Sequence, residues 1–216
     1  MSGVVDFICE HKVVVICRGV YGKELIQTID ALYKGGVRLV EVTFDQKDSN
    51  GIEKTMGAIQ TIKENFPEIK VGAGTVTKIE HVEATKQAGG EFCLSPDVNV
   101  DVIQATKQAG LVSIPGAMTP TEILKAHHAG ADMVKIFPAG YLGLNYLKDI
   151  KGPINHVKFL AAAGVKEENF KEFLEAGYSA AGISTRLIDK KVIADKNFEE
   201  LTNRAKVFTE IAHSVK

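Results

Sequence analysis

Short apolar runs alternate with amphipathic stretches along the whole chain, and glycines stand between them. Gly89, Gly110 and Gly130 each follow a helical pattern and come shortly before an apolar run. Glycine is favoured just past a helix C-terminus because it adopts the left-handed conformation without a steric penalty. The hexapeptide Ala-Thr-Lys-Gln-Ala-Gly at 84–89 recurs at 105–110, which indicates two similar βα units rather than a solenoid repeat.

The alternation predicts eight strands, most of them followed by a helix. Strands are expected at 13–18, 37–44, 70–75, 91–95, 111–115, 132–137, 156–162 and 179–184. Helices are expected at 22–34, 51–65, 78–88, 99–109, 119–129, 142–151 and 166–176, with a closing C-terminal helix at about 196–214. Thr77, Asn99 and Thr119 are predicted N-caps, and Pro120 suits a first helical position.

Eight strands that alternate with helices in 216 residues predict an α/β fold of the (β/α)8 TIM-barrel class, as a single domain over 1–216. A short helix at 2–11 is expected to close the bottom of the barrel. An open doubly wound sheet is the alternative. That fold is expected to have a glycine-rich, dinucleotide-binding turn after its first strand. The segment 17–22 matches the pattern of such a turn poorly.

Composition narrows the class of protein. The net charge of −1 gives no basis for a nucleic-acid or anionic-membrane partner. The cysteines at 9, 17 and 93 lack disulfide or zinc spacing, and the six histidines lack ligand spacing. No apolar run approaches the roughly 20 residues of a membrane span, and the first residues do not resemble a signal peptide. We expect a cytoplasmic protein without a metal.

Lys135 interrupts the apolar strand predicted at 132–137. Burial of an ammonium group is costly unless the group is paired or neutralised. Burial also lowers the pKa of a lysine, and a neutral amine can attack a carbonyl to form a Schiff base. The alternative is a structural lysine that reaches the strand end or pairs with a buried carboxylate.

A second ionisable group is predicted inside the same barrel. In the strand at 37–44, Glu41 and Thr43 share one face, while Val40, Val42 and Phe44 share the apolar face that suits the helix layer. Glu41 and Thr43 are therefore expected to point inward near the strand's carboxyl end, where barrels place catalytic groups. A carboxylate opposite an inward lysine forms either a buried ion pair or a proton-transfer partner.

Five motifs together carry a family resemblance. They are Glu-Val-Thr at 41–43, Gly-Ala-Gly-Thr at 72–75, Ser-Pro at 95–96, Ile-Pro-Gly at 114–116 and Lys-Ile-Phe-Pro at 135–138. In order and spacing, over nearly the whole chain, they resemble the 2-keto-3-deoxy-6-phosphogluconate/4-hydroxy-2-oxoglutarate (KDPG/KHG) aldolases. The resemblance implies a class I aldolase on a TIM barrel, without metal or cofactor and usually a homotrimer.

The resemblance also implies residue roles. Lys135 would form the imine with pyruvate, Glu41 would shuttle protons, and Thr75 would help to hold the keto acid. The neighbouring motif residues Thr43, Pro96 and Phe137 would line the substrate site.

Two positions depart from the family pattern. Many members carry a carboxylate-binding arginine shortly after the Glu-Val-Thr strand, where this chain has Asp45. Arg18, at the end of the first predicted strand, is similar to the first-strand arginine of relatives acting on the galactonate analogue. We expect Arg18 to bind the carboxylate bidentately; the alternative is a rim salt bridge to Asp45.

The second departure concerns the phosphate-binding turns of relatives. Here the corresponding segments, at 161–165 and 182–186, lack a threonine hydroxyl and one glycine, while Gly164, Ser184 and Thr185 retain hydrogen-bond donors.

These features predict a Schiff-base aldolase that cleaves a 2-keto-4-hydroxy acid, such as a 2-keto-3-deoxy sugar acid or its 6-phosphate, to pyruvate and an aldehyde. Two alternatives remain open at this point. One is a sugar-phosphate isomerase or synthase that uses Lys135 as a charge. The other is a catalytically silent binding barrel in which Lys135 and Glu41 form a buried ion pair.

Overall fold

A parallel sheet forms the centre of the computed structural model, which describes residues 2–215. Its strands are β1 (Val13–Cys17), β2 (Leu39–Thr43), β3 (Lys70–Gly74), β4 (Phe92–Leu94), β5 (Val112–Ile114), β6 (Gly116–Ala117), β7 (Val134–Ile136), β8 (Phe159–Ala162) and β9 (Ala180–Ile183). The hydrogen-bonded order is β5-β4-β3-β2-β1-β9-β8-β7-β6.

The two ends of this order, β5 and β6, are one strand of the barrel interrupted at Pro115. Proline has no N–H for a strand ladder, but the Pro115 carbonyl accepts a hydrogen bond from the Lys135 N–H at 2.8 Å. The continuous chain from β5 to β6 therefore joins the nine segments into eight barrel strands. The predicted (β/α)8 barrel is confirmed, and the open doubly wound sheet is wrong.

Helices connect the strands and surround the barrel. They are α1 (Ser2–His11), α2 (Gly22–Lys34), α3 (Gly51–Asn65), α4 (Ile79–Gln87), α5 (Val100–Gln108), α6 (Pro120–His128), α7 (Ala139–Lys151), α8 (Phe170–Glu175), α9 (Lys190–Ala194) and α10 (Phe198–Ser214). No helix in the described residues is long and apolar enough to cross a membrane.

Two of the three predicted N-cap residues stand at the first turn of a helix. Asn99 caps α5, and Thr119 caps α6 in a reciprocal capping box with Glu122, with Pro120 at the first helical position. Thr77 was wrongly predicted as an N-cap. The helix begins two residues later, and Lys78 stands at its N-cap without a side-chain hydrogen bond.

Several element bounds also differ from the sequence prediction. The short α9 was not expected. α7 begins at Ala139 rather than 142, and Gly143 departs from helical geometry inside it.

The repeated hexapeptide builds two equivalent helix ends. The Gly89 N–H donates to the Lys86 carbonyl, and the Gly110 N–H donates to the Lys107 carbonyl, each at 3.0 Å. Both glycines have positive φ angles, 80° and 77°, which explains why glycine ends both helices. The sequence repeat therefore encodes a repeated turn from helix into strand.

Two apolar layers fix which side chains face the barrel interior. Val40 and Val42 pack in the layer between strands and helices, whereas Leu39 belongs to a separate inner cluster that also contains Val5 and Ile8 of α1. The predicted N-terminal helix thus closes the bottom of the barrel. Because side chains alternate along a strand, Glu41 shares the inward face with Leu39.

Candidate active site

β2 and β7 stand opposite each other in the barrel, because three strands separate them on either side. Lys135 shares the inward face of its strand with Met133, a member of the inner cluster. The side chains of Glu41 and Lys135 therefore approach each other from opposite walls. Both line a cavity of about 390 Å³ at the carboxyl end of the barrel, the end at which TIM-barrel enzymes place their active sites.

Glu41 is a buried carboxyl group without full hydrogen bonding. It is 3% exposed, and its Oε2 atom has no hydrogen-bond partner. Burial raises the pKa of Glu41 to about 7, although the positive charges of Lys135 and Arg18 oppose this effect. A carboxyl group whose pKa lies near neutrality can both accept and return a proton at physiological pH. A Cβ atom at position 74 would overlap Glu41 Oε1, so Gly74 leaves the space that this carboxyl group occupies.

Lys135 is the buried amine opposite it, 8% exposed. Burial lowers the pKa of its ammonium group and outweighs the opposing attraction of Glu41, while Arg18 lowers it further and Asp97 raises it. The Nζ atom lies 5.3 Å from the centroid of the Phe137 ring at the mouth of the cavity. The environment therefore favours the neutral, nucleophilic amine.

Arg18 supplies a positive charge at the rim. Its Nη2 atom donates to Thr75 Oγ1 at 3.3 Å, and both side chains line the cavity. Asp45 lies outside the cavity lining, and its carboxylate accepts a hydrogen bond from the Lys47 N–H at 2.9 Å. The rim salt bridge between Arg18 and Asp45 that the sequence left open does not form. The guanidinium is free to face an anion in the cavity.

Thr75 has a strained backbone at this position. Its φ angle of 59° is rare for a β-branched residue, and Gln46 Nε2 donates to its carbonyl at 3.2 Å. Such conformations persist where the surroundings hold them, most often at functional sites. Here the conformation presents the Thr75 hydroxyl to Arg18.

The far wall of the cavity comes from the turns after β8 and β9. Gly164, Ser184 and Thr185 line it, and Ala163 and Gly164 have consecutive positive φ angles of 68° and 84°. Arg186 also reaches the cavity, but its Nε atom is held by Glu167 Oε2 at 2.7 Å. Backbone and hydroxyl donors thus face the same space as Glu41 and Lys135.

The structure brings nine of the ten sequence-predicted site residues into this one cavity. They are Arg18, Glu41, Thr75, Pro96, Lys135, Phe137, Gly164, Ser184 and Thr185. Thr43 is buried but does not line the cavity; a Cβ atom at Gly74 would lie 3.1 Å from its methyl group. Thr43 therefore packs beside Gly74 of the third strand, outside the cavity lining.

Several small or apolar residues of the wall were not among the predicted site residues, although most of them lie in the segments 161–165 and 182–186. Ile16, Ala162, Val165 and Gly182 line the cavity with the predicted residues. Ile16 and Gly182 are each two residues from a predicted site residue, so strand alternation could have found them. No group of three or more histidine, cysteine or acidic side chains within the described residues is arranged to hold a metal.

The chain is also similar to known proteins in sequence and in fold. The profile of the aldolase family described as KDPG and KHG aldolase matches residues 4–204. The chain belongs to the KDPG and KHG aldolase family. Members of this family are aldolases, which are lyases, and the chain is one of them.

Individual relatives are named for different substrates. A 2-dehydro-3-deoxy-6-phosphogalactonate aldolase of Escherichia coli is 30% identical over 175 residues, covering 81% of this chain and 83% of the relative. A KHG/KDPG aldolase of the same organism is 32% identical over 145 residues, covering 67% and 65%. The solved structure of a native KDPGal protein superimposes with a TM-score of 0.83 at 27% identity, covering 94% of this chain and 95% of that one.

Proposed function

We propose that this member of the family is a class I aldolase that cleaves a 2-keto-4-hydroxy acid through a Schiff base on Lys135. The products are pyruvate and an aldehyde. The observation that supports this most directly is the pair of opposed, buried groups in one cavity. Burial favours the neutral amine of Lys135, and it raises the pKa of Glu41 to about 7.

The chemistry follows from these two groups. The neutral Lys135 amine attacks the C2 carbonyl, and the carbinolamine takes a proton from Glu41 and loses water to give a protonated imine, which accepts electrons better than a ketone does. Glu41 removes the proton of the C4 hydroxyl as the C3–C4 bond breaks, which releases the aldehyde and leaves an enamine. Protonation at C3 and hydrolysis then release pyruvate and restore the amine. The Lys135 imine is the electron sink, so the proposed mechanism needs no metal or cofactor.

The remaining cavity residues hold the substrate. Arg18, with Thr75 beside it, faces the keto acid carboxylate, since a guanidinium binds a carboxylate through two parallel hydrogen bonds. Gly164, Ser184 and Thr185 offer donors to the distal end. Substrates of this class include 2-keto-3-deoxy-6-phosphogluconate, its galactonate counterpart, 4-hydroxy-2-oxoglutarate and the unphosphorylated sugar acids.

Borohydride reduction in the presence of pyruvate tests the proposal. Mass spectrometry should find one reduced pyruvyl adduct, on Lys135, and activity should be lost. Lys135→Ala and Lys135→Arg should neither form the adduct nor turn over substrate. Lys70→Ala is a matched control, because Lys70 is also a strand lysine but forms an ion pair with Glu91 at 2.7 Å, away from the cavity.

The same experiment tests the two alternatives that the sequence alone left open. An isomerase or synthase that uses Lys135 only as a charge would form no adduct with pyruvate. A silent binding barrel would form none and would not turn over either. The unpartnered Oε2 atom of Glu41 weighs against a barrel interior in which this carboxylate is fully satisfied by an ion pair. Adducts spread over surface lysines, or turnover by either Lys135 variant, would contradict the Schiff-base proposal.

We also propose the homotrimer that the family resemblance implies. Large apolar side chains lie exposed near the carboxyl end of the barrel: Met118 follows β6, and Tyr141, in the first turn of α7, is 91% exposed. A subunit interface would remove such side chains from water. Sedimentation equilibrium should give three times the chain mass, and a monomer at micromolar concentration would contradict the assembly.

A further inference from the structure

A second groove opens from the catalytic cavity across its rim. Arg18, Ser184 and Thr185 line both spaces, and the groove continues between Ile188 and Lys190 with a volume of about 340 Å³. A ligand that begins at the buried lysine can therefore extend into this groove without leaving the wall of the cavity.

Two of the charged side chains in the groove already have partners within the protein. The Asp189 carboxylate accepts the backbone N–H groups of Lys191 and Val192 and pairs with Arg204 Nη1 at 3.1 Å. The Lys191 ammonium is held by Asp195 at 2.5 Å. Both of these neighbouring charges are thus engaged on the protein.

Lys190 stands apart from these pairs. Among the described residues it has no ion-pair or hydrogen-bond partner, and its Nζ atom lies over the first-strand turn. A Cβ atom at Gly19 would be 3.9 Å from that Nζ atom. Gly19 is the residue after Arg18, so two cations without an acidic partner flank one groove that is continuous with the catalytic cavity.

We propose that this groove is an outer subsite for substrates with an anionic distal end, and that Lys190 is a residue that determines specificity for them. The inference rests on the proposed Schiff-base cleavage at Lys135 and extends it. The distal anion is a phosphate ester or a terminal carboxylate, which share the charge and the acceptor oxygens that an ammonium recognises. The donors of Ser184 and Thr185 lie on the path between this subsite and Lys135.

Paired substrates test the subsite. The ratio of kcat/KM for 2-keto-3-deoxy-6-phosphogluconate over 2-keto-3-deoxygluconate is measured in the wild type, Lys190→Ala, Lys190→Arg and Lys190→Glu, with 4-hydroxy-2-oxoglutarate as the carboxylate arm. Lys190→Ala should lower the phosphate ratio about fivefold, as expected for one solvent-exposed ion pair. Lys190→Glu should lower it further, and Lys190→Arg should preserve it.

Lys23→Ala is the matched control. Lys23 is an exposed lysine in the first turn of α2, and it lines neither the catalytic cavity nor the groove. An unchanged ratio in Lys190→Ala, or an equal loss in Lys23→Ala, overturns the subsite. A loss confined to the phosphate or to the carboxylate arm identifies which distal anion is bound.

The borohydride adduct separates the two proposals. If pyruvate is trapped on Lys135 but the Lys190 substitutions do not change the ratio, only the subsite fails. If no adduct forms, the Schiff-base proposal fails and the subsite with it.

Discussion

Glu41→Gln tests the central premise, that a buried carboxyl group of raised pKa moves protons in this barrel. Glutamine keeps the shape of the side chain but can neither ionise nor accept a proton as a base. Because the carboxyl group is 3% exposed with one oxygen unpartnered, its ionisation should influence both the stability of the fold and the rate of the reaction.

The effect on stability has a definite sign. The pKa of Glu41 rises from its ordinary value of 4.5 to about 7 on folding, so between these values the native state binds the proton more tightly than the unfolded state. The resulting stabilisation is complete below pH 4.5 and is lost as the pH rises through 7. At about 1.4 kcal/mol for each pH unit between the two values, the loss is about 3 kcal/mol.

Glutamine resembles the protonated carboxyl group and escapes this loss. Denaturant unfolding of both proteins at pH 5 and pH 8.5 should therefore show the variant gaining up to about 3 kcal/mol relative to the wild type at the higher pH. Glu64→Gln, an exposed change on α3, is the control and should show no such gain.

The kinetic readout is the exchange of pyruvate C3 protons with deuterated water. Wild-type exchange should increase as the pH rises through about 7, and Glu41→Gln should reduce it by about 10²–10⁴-fold, the usual contribution of a general base. Exchange within a few-fold of wild type, together with a stability difference that does not vary with pH, would refute the assignment of Glu41 as the proton carrier.

Three further predictions follow from the geometry. Arg18→Lys should raise the KM for pyruvate in the exchange reaction sharply, because a point charge cannot replace a two-pronged contact, whereas Asp45→Ala should have little effect; the reverse order would place the carboxylate elsewhere. Gly72→Ala should destabilise the protein by about 1–3 kcal/mol, because the added Cβ would overlap Phe92, while Gly57→Ala, in open space on α3, should stabilise it by about 0.5–1 kcal/mol; equal denaturation midpoints would contradict both. The preference for phosphorylated over unphosphorylated substrate should stay below about 10²-fold, and a preference of 10⁴ or more would reveal donors beyond those at the far wall.

The sequence by itself determined the barrel and the chemical pair within it. Strand alternation has a period of two, so the faces of Glu41 and Lys135 follow directly from their apolar neighbours. Helix-ending glycines mark where each unit restarts, since their conformational requirement is local. Both constraints act over a few residues of chain, so the sequence alone reveals them.

Tertiary packing decided what local rules could not. Thr77 has a residue type suited to an N-cap, yet the helix begins at Ile79. The fifth barrel strand breaks at Pro115, a division that depends on which neighbour each half pairs with. Thr43 faces inward as expected, but the approach of the third strand covers it.

Local sequence rules also could not predict the side-chain contacts at the rim of the cavity. Arg18 is free of Asp45, and Lys190 lies over Gly19. Both arrangements depend on how the turns after β1, β2 and β9 meet in space. Side-chain partners at a barrel mouth come from segments distant in sequence. Their pairing is fixed by the closure of the sheet, because only closure brings the ends of the first and last strands side by side.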